Sequence, residues 1–243
     1  GKNQVALTYD DGPNPSLTPK LVEWLKANDV PATFFMNGNM VKQYPQMAKQ
    51  VSDMGFELAN HTYSHPDLKR RTAEQVRDEL QDTHDVIKEV TGVDVKLMRP
   101  PFGNYNDTVQ EVCKRLGYKI INWDVDTNDW RGRSADAMVK TIMSTAGDGS
   151  IILMHDRKHR GRESVLETTQ EVVKQLRAKG YTFVTVGELI GLKETSTAGP
   201  AVAAAPPAST TPAIVEPPPA ETAPVTGTAD TASTITLPAP ILP

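Results

Sequence analysis

Short strand-like runs of apolar residues recur seven times, at Gln4 to Tyr9, where Val5, Leu7 and Tyr9 alternate with small or polar neighbours, and at Ala32 to Met36, Phe56 to Asn60, Val95 to Met98, Tyr118 to Asn122, Ser150 to Met154 and Tyr181 to Thr185. Such runs predict strands. Most of the intervals between them carry apolar residues at helical spacing. Thr18 and Pro19 look like a cap and a first helical position ahead of Leu21, Val22 and Leu25, and Pro45 opens a second helix through Met47, Ala48 and Val51. Thr72 and Gln75 form a capping-box pattern before a long charged helix carrying Val76, Leu80, Val86, Ile87 and Val90. Further helices are predicted from Asp107 to Leu116, Ser134 to Thr145 and Ser164 to Lys179, with Gly117 and Gly180 placed as C-terminal stops.

Strand and helix alternating over about 190 residues imply parallel strands joined by right-handed crossovers, in an open doubly wound sheet or a closed barrel. Both architectures gather their chemistry at the C-terminal ends of the strands. The polar residues track those ends. Asp10 and Asp11 follow the first run, His61 and His65 the third, Arg99 the fourth, Asp126 to Trp130 the fifth and His155 the sixth.

Composition limits the domain. Eleven of the nineteen prolines fall after residue 195, in a stretch without Lys, Arg or aromatic residues, so a folded domain over 1–193 and a Pro/Ala/Thr-rich tail or linker over 194–243 are expected. Within that tail, Thr234 to Pro243, with Ile235, Leu237, Ile241 and Leu242, is expected to lie against the domain. Of the net charge of −4, Glu216, Glu221 and Asp230 supply three units. The domain is therefore near neutral, and nothing in it attracts nucleic acid. Cys113 is the only cysteine and sits on an apolar helix face, which excludes an internal disulfide and favours a small buried hydrophobe. No apolar run approaches a membrane span. The chain starts at Gly1 and enters a strand almost at once, as a processed or truncated chain lacking its targeting segment would.

The residues at the strand ends suggest a metal hydrolase. Asp10 and Asp11 are adjacent like charges, which call for a compensating cation. His61 and His65 are spaced one helical turn apart, close enough to share an ion on one helix face. One carboxylate of the first strand would complete a three-ligand site suited to zinc, or to another divalent first-row ion such as Co2+. The other carboxylate is then free to act as general base on a metal-bound water. Arg99, on the stiff segment leading into Pro100 and Pro101, would hold that base ionised. His155, carried out by the apolar run from Ile151 to Met154, is a candidate general acid, with Asp129 raising its pKa. Trp130 and Leu153 can form an apolar wall for a small acyl methyl. His84 and His159 are expected to be solvated and inert.

Taken together, Thr8 to Pro13, His61 to His65, Arg99 to Gly103, Asp126 to Trp130 and Leu153 to His155 resemble the five ordered motifs of the polysaccharide deacetylases, the NodB-homology or carbohydrate esterase 4 family. The resemblance spans Gln4 to about Leu192. It implies a distorted (β/α)7 barrel and a divalent metal, usually zinc, held by Asp11, His61 and His65. It further implies Asp10 as base, Arg99 as its orienting partner, His155 as acid tuned by Asp129, and Trp130 and Leu153 lining an acetate pocket. Two positions vary: Tyr9 stands where Phe is commoner, and Phe102 where Tyr is frequent, which spares the oxyanion contact because the backbone N–H makes it.

The expected activity is removal of N-acetyl groups from N-acetylglucosamine in a β-1,4-linked polysaccharide, with peptidoglycan the first substrate. The basic loop Arg157 to Arg162 is a candidate contact for an anionic wall polymer. A chitooligosaccharide deacetylase or acetylxylan esterase is the enzymatic alternative, and a noncatalytic carbohydrate-binding barrel the alternative of another class. The remaining expectations are export to the periplasm, wall or medium and a monomer.

Overall fold

The computed structural model describes residues 1–157 and 164–192. The expectations for the tail and for most of the basic loop, His159 included, lie outside the described residues.

Eight parallel strands form one curled sheet: β1 (Gln4–Asp10), β2 (Thr33–Met36), β3 (Glu57–Asn60), β4 (Leu97–Met98), β5 (Lys119–Ile120), β6 (Val125–Asp126), β7 (Ser150–His155) and β8 (Thr182–Phe183). Their order is β5-β4-β3-β2-β1-β7-β6. On one edge β1 pairs with β7 from Val5 to Asp10; the other edge is shared between β8, opposite Gln4 and Val5, and β2, opposite Thr8 to Asp10. The two outermost strands, β5 and β6, are neighbours in sequence but do not pair, so the sheet is a half-barrel open at that seam.

Among the described residues eight helices cover it: α1 (Thr18–Ala27), α2 (Gly38–Gln43), α3 (Pro45–Asp53), α4 (Ala73–Thr91), α5 (Asp107–Leu116), α6 (Ala135–Thr145), α7 (Ser164–Ala178) and α8 (Val186–Leu189). The capping box at α4 forms as the sequence predicts, Thr72 Oγ1 accepting from Gln75 N–H and Gln75 Oε1 from Thr72 N–H. Gly117 stops α5 at φ 76° and Gly180 follows α7 at φ 83°, a left-handed backbone that glycine adopts without a Cβ penalty. Thr18 does not cap α1. Its hydroxyl is given instead to Asp156 Oδ2, at 2.6 Å.

The period-two pattern of β1 sorts its side chains onto two faces. Val5, Leu7 and Tyr9 join the large core between sheet and helices, where Tyr9 stacks on Phe34 at 5.1 Å and its hydroxyl bonds Thr169. Ala6 faces the smaller inner cluster with Phe35, Ala59, Leu97, Ile121 and Val186. Thr8 and Asp10 share that inner face by alternation. Cys113 is buried in the outer core, as its helix face predicts.

Three sequence expectations change. The fifth run holds only two paired residues, and the separate two-residue β6, too short to leave a pattern, delivers Asp126 and the residues after it. His61 and His65 do not lie on a helix but on the loop leaving β3, with Thr62 at φ 68° and His65 at φ 61°. His84 is partly buried rather than solvated, with Asp94 3.2 Å from its Nε2 and the Tyr118 hydroxyl 3.4 Å from its Nδ1.

Candidate active site

The site stands at the C-terminal ends of β1, β3, β4, β6 and β7. Two adjacent residues of a regular strand point to opposite faces, so Asp10 and Asp11 can share one space only if the strand ends between them. It does: Asp11 has φ 76°, and the chain turns away through Gly12 and Pro13. Asp10 Oδ2 then lies 3.7 Å and Asp11 Oδ1 3.5 Å from His61 Nε2. The left-handed turns at Thr62 and His65 bring the second imidazole back to the same place, with His65 Nε2 3.4 Å from Asp11 Oδ1.

The donor chemistry fits a cation. His61 Nδ1 faces the carbonyl of Arg99 at 2.8 Å, and because a carbonyl can only accept, Nδ1 carries the hydrogen and Nε2 presents a lone pair. That lone pair, one Asp11 oxygen and one His65 nitrogen lie within 4.8 Å of one another, two of the three residues being buried. Asp11, His61 and His65 thus form an Asp-His-His set of the kind that binds a divalent first-row ion and leaves a position open. Burial, and then the neighbouring His61, lower the pKa of His65, which favours its neutral, ligating form.

Beside this set lies a buried charge pair. Arg99 Nη1 donates to Asp10 Oδ1 at 2.7 Å and to Thr8 Oγ1 at 2.8 Å, while the Thr8 hydroxyl passes its own hydrogen to the Ile152 carbonyl. The guanidinium lies 4.0 Å over the Phe35 ring. Its other nitrogens, Nε and Nη2, donate to the carbonyls of Ile121 and Asn122 at 3.3 Å, in the segment between the unpaired β5 and β6. Arg99 therefore ties the segment that follows β5 to the C-terminal end of β1. Burial lowers the pKa of Arg99, and the charge and hydrogen bond of Asp10 oppose that.

On the opposite side, Asp129 is fully buried and holds His155 twice: Oδ2 accepts the His155 backbone N–H at 2.8 Å and Oδ1 faces Nδ1 at 2.7 Å. Burial works to lower the His155 pKa, but the bond to Asp129 and the charges of Asp129, Asp10 and Asp11 prevail and raise it. Leu153 and His155 fall on the same face of β7, and Leu153 pairs with Asp126. Trp130 follows Asp129 on a single 3-10 turn and is 48% exposed; Phe102, on the other flank at φ 61°, is 63% exposed with its ring against His65 at 4.9 Å.

Two residues of this neighbourhood escape sequence reasoning. Thr8 braces Arg99, and its signal is a hydroxyl on the inner face two residues before Asp10. Asp156 is fully buried under Gly12, with Oδ2 accepting from Thr18 and, among the described residues, no hydrogen bond on Oδ1. Burial, with repulsion from Asp11, pushes its pKa up to about 7. Nothing in its sequence context beyond a position after His155 marks it.

The family profile described as polysaccharide deacetylase matches residues 1–121. A crystal structure of the Bc1960 peptidoglycan N-acetylglucosamine deacetylase superposes with a TM-score of 0.76 at 32% identity, over 78% of this chain and 88% of that one. The chain belongs to the polysaccharide deacetylase family. Among named relatives, peptidoglycan-N-acetylglucosamine deacetylase PgdA of Listeria monocytogenes is 38% identical over 190 residues, covering 78% of this chain and 39% of that protein. A bifunctional xylanase/xylan deacetylase of Cellvibrio japonicus is also 38% identical, over 177 residues, 72% of this chain and 26% of that one. The chain thus spans well under half the length of these two curated relatives.

Proposed function

We propose that this chain is a metal-dependent hydrolase that removes N-acetyl groups from N-acetylglucosamine residues of peptidoglycan. The observation that carries the reading is the buried Asp10–Arg99 pair set against the Asp11, His61 and His65 donors: a carboxylate bonded to a guanidinium beside a candidate cation site. The Listeria and Bc1960 relatives, named for peptidoglycan, favour that polymer over xylan. A wall polymer as substrate requires export, and no described helix is long and apolar enough to cross a membrane.

A divalent ion held by Asp11, His61 and His65, with zinc the best match to that donor set, would supply Lewis-acid polarisation of the acetyl carbonyl and make a nearby water more acidic. Asp10, oriented by its bond from Arg99, takes the proton from the attacking water. The developing oxyanion is offered the backbone N–H of Phe102. His155 gives its Nε2 proton to the departing amine, so that one water and one amide become acetate and a free amino sugar. Trp130 and Leu153 wall the acetyl methyl.

The test is acetate release from peptidoglycan, a chitooligosaccharide and acetylxylan side by side, by the metal-loaded protein and by Asp10→Asn. Release greatest on peptidoglycan and nearly abolished in the variant, with metal still bound, is the expected result. Near-normal turnover of Asp10→Asn would overturn the base assignment, and glycan binding indifferent to chelator, without acetate release, would make the chain a noncatalytic binder.

A further inference from the structure

The 3-10 turn Asp129–Arg131 presents a second positive charge at the mouth of the site. It is closed by Arg131 N–H on the Asn128 carbonyl at 3.0 Å and Gly132 N–H on the Asp129 carbonyl at 2.9 Å, and flanked by left-handed Asn128 and Gly132. Because Asp129 is itself clamped to His155, the Arg131 backbone has little freedom. Two residues of such a turn keep its Cα within about 6 Å of the Asp129 Cα. The guanidinium carbon sits 4.5 Å from the centroid of the half-exposed Trp130 ring.

Most other exposed arginines already have a polar partner: Arg70 with Asp67, Arg77 with Asp78, Arg115 with Glu111, and Arg177 with the carbonyls of Asn28 and Asp29. Arg133, two residues further on, is spent on the Thr127 carbonyl and Thr141. The exposed Arg131 has only the indole among the described residues, so its five N–H donors have no described hydrogen-bond partner, on a turn that also carries Asp129 and Trp130. A guanidinium resting against an aromatic ring has less freedom to lose on pairing than one extended into solvent, which favours bidentate capture of a carboxylate.

We propose that Trp130 and Arg131 form a subsite for a carboxylate carried by the sugar next to the reacting N-acetylglucosamine, and that this charge discriminates carboxylated glycan from neutral glycan. The proposal rests on the deacetylase reading above. In a wall glycan the carboxylate has two sources, an uncapped lactyl group on the neighbouring sugar or the attached peptide stem.

The experiment compares kcat/KM for acetate release by metal-loaded wild type, Arg131→Gln and Arg131→Lys on three substrates: a neutral N-acetylglucosamine oligomer, glycan strands stripped of peptide, and strands bearing it. Gln keeps a planar group for the indole and removes the charge. Its ratio of carboxylated to neutral activity is expected to fall about fivefold, as for a partly exposed charge pair, with Lys retaining part of the preference. The wild-type ratio should also decline at high ionic strength, and the Gln ratio should not. A fall on stripped strands assigns the lactyl carboxylate; a fall only on peptide-bearing strands assigns the stem. Equal ratios for wild type and Arg131→Gln on both strands, or a wild-type ratio insensitive to salt, overturns the subsite. Absence of acetate release from every substrate by wild type overturns the deacetylase reading instead.

Discussion

Asp129 grips His155 by both backbone and side chain, one carboxylate oxygen taking the N–H at 2.8 Å and the other facing Nδ1 at 2.7 Å. The ring is fixed in orientation and in tautomer, because Nδ1 must hold the hydrogen that Asp129 accepts. The same contact raises the pKa of the imidazole against the effect of burial. The imidazolium, the form that can give up a proton, therefore persists to higher pH than in a free histidine and is lost as pH rises through the raised value. Asp129→Asn should move the alkaline limb of the kcat profile to lower pH, while His155→Ala should lower kcat by about 10² to 10⁴. A pH-rate profile of the variant that coincides with that of wild type would remove Asp129 from this role.

The Asp10–Arg99 pair predicts an asymmetry between its two halves. Removing Arg99 leaves the Asp10 carboxylate buried without its cation and strips the carbonyls of Ile121 and Asn122 of their donors, so Arg99→Ala should cost about 3–5 kcal/mol. Asp10→Asn leaves the guanidinium with Thr8 and both carbonyls, and should cost less. Urea unfolding of the two variants measures the difference. Equal losses would mean that the bonds of Arg99 to the Ile121 and Asn122 carbonyls contribute little.

How far this centre could be foreseen varies with how local its causes are. The first strand is legible because Val5, Leu7 and Tyr9 alternate with residues that must face inward, and that alternation alone puts Asp10 on the inner face. Parallel strands follow from repeated strand and helix, whereas that repeat alone leaves an open sheet and a closed barrel equally available and does not give the half-barrel with its open seam. What could not be read are the left-handed backbones at Asp11, Thr62, His65 and Phe102, since none is glycine and each is imposed by the contacts around it. For the same reason the His61–His65 spacing looks helical although a loop delivers both rings. The two-residue β6 is too short to carry a period, and the place of Asp156 depends on Gly12, 144 residues earlier in the chain.

The convergence of Asp11, His61 and His65 predicts a thermal shift. An ion that binds the folded chain alone stabilises it by about 2.7 kcal/mol when present at a hundredfold excess over its Kd. Zinc added to metal-free protein should raise Tm, and Asp11→Ala should lose most of the rise. His84, held between Asp94 and Tyr118 away from this set, is the control: His84→Gln should keep it. An equal shift in wild type and Asp11→Ala would place the ion elsewhere.

Gly12 and Asp156 make a contact in which the absence of a side chain is the requirement. A Cβ at residue 12 would stand 2.2–2.5 Å from the carboxyl atoms of Asp156, a short and fully buried side chain with nowhere to withdraw. Gly12→Ala should therefore destabilise strongly, and Asp156→Ser should recover part of the loss, a coupling that a double-mutant cycle reads directly. The acid itself adds a pH dependence. Its folded pKa is about 7, raised first by burial, whereas an unfolded aspartate titrates near ~3.9. A carboxyl raised in this way stabilises fully below the unfolded value, and its contribution is lost as pH climbs through the folded one. In metal-free protein the advantage of Asp156→Asn over wild type should accordingly grow from pH 4 to pH 8, by an amount of the order of a few kcal/mol. Zinc should shrink that growth, because a cation beside Asp11 offsets the negative charge that Asp156 must face when it ionises. A Tm difference between the two proteins that stays constant across this range would show Asp156 to be ionised throughout.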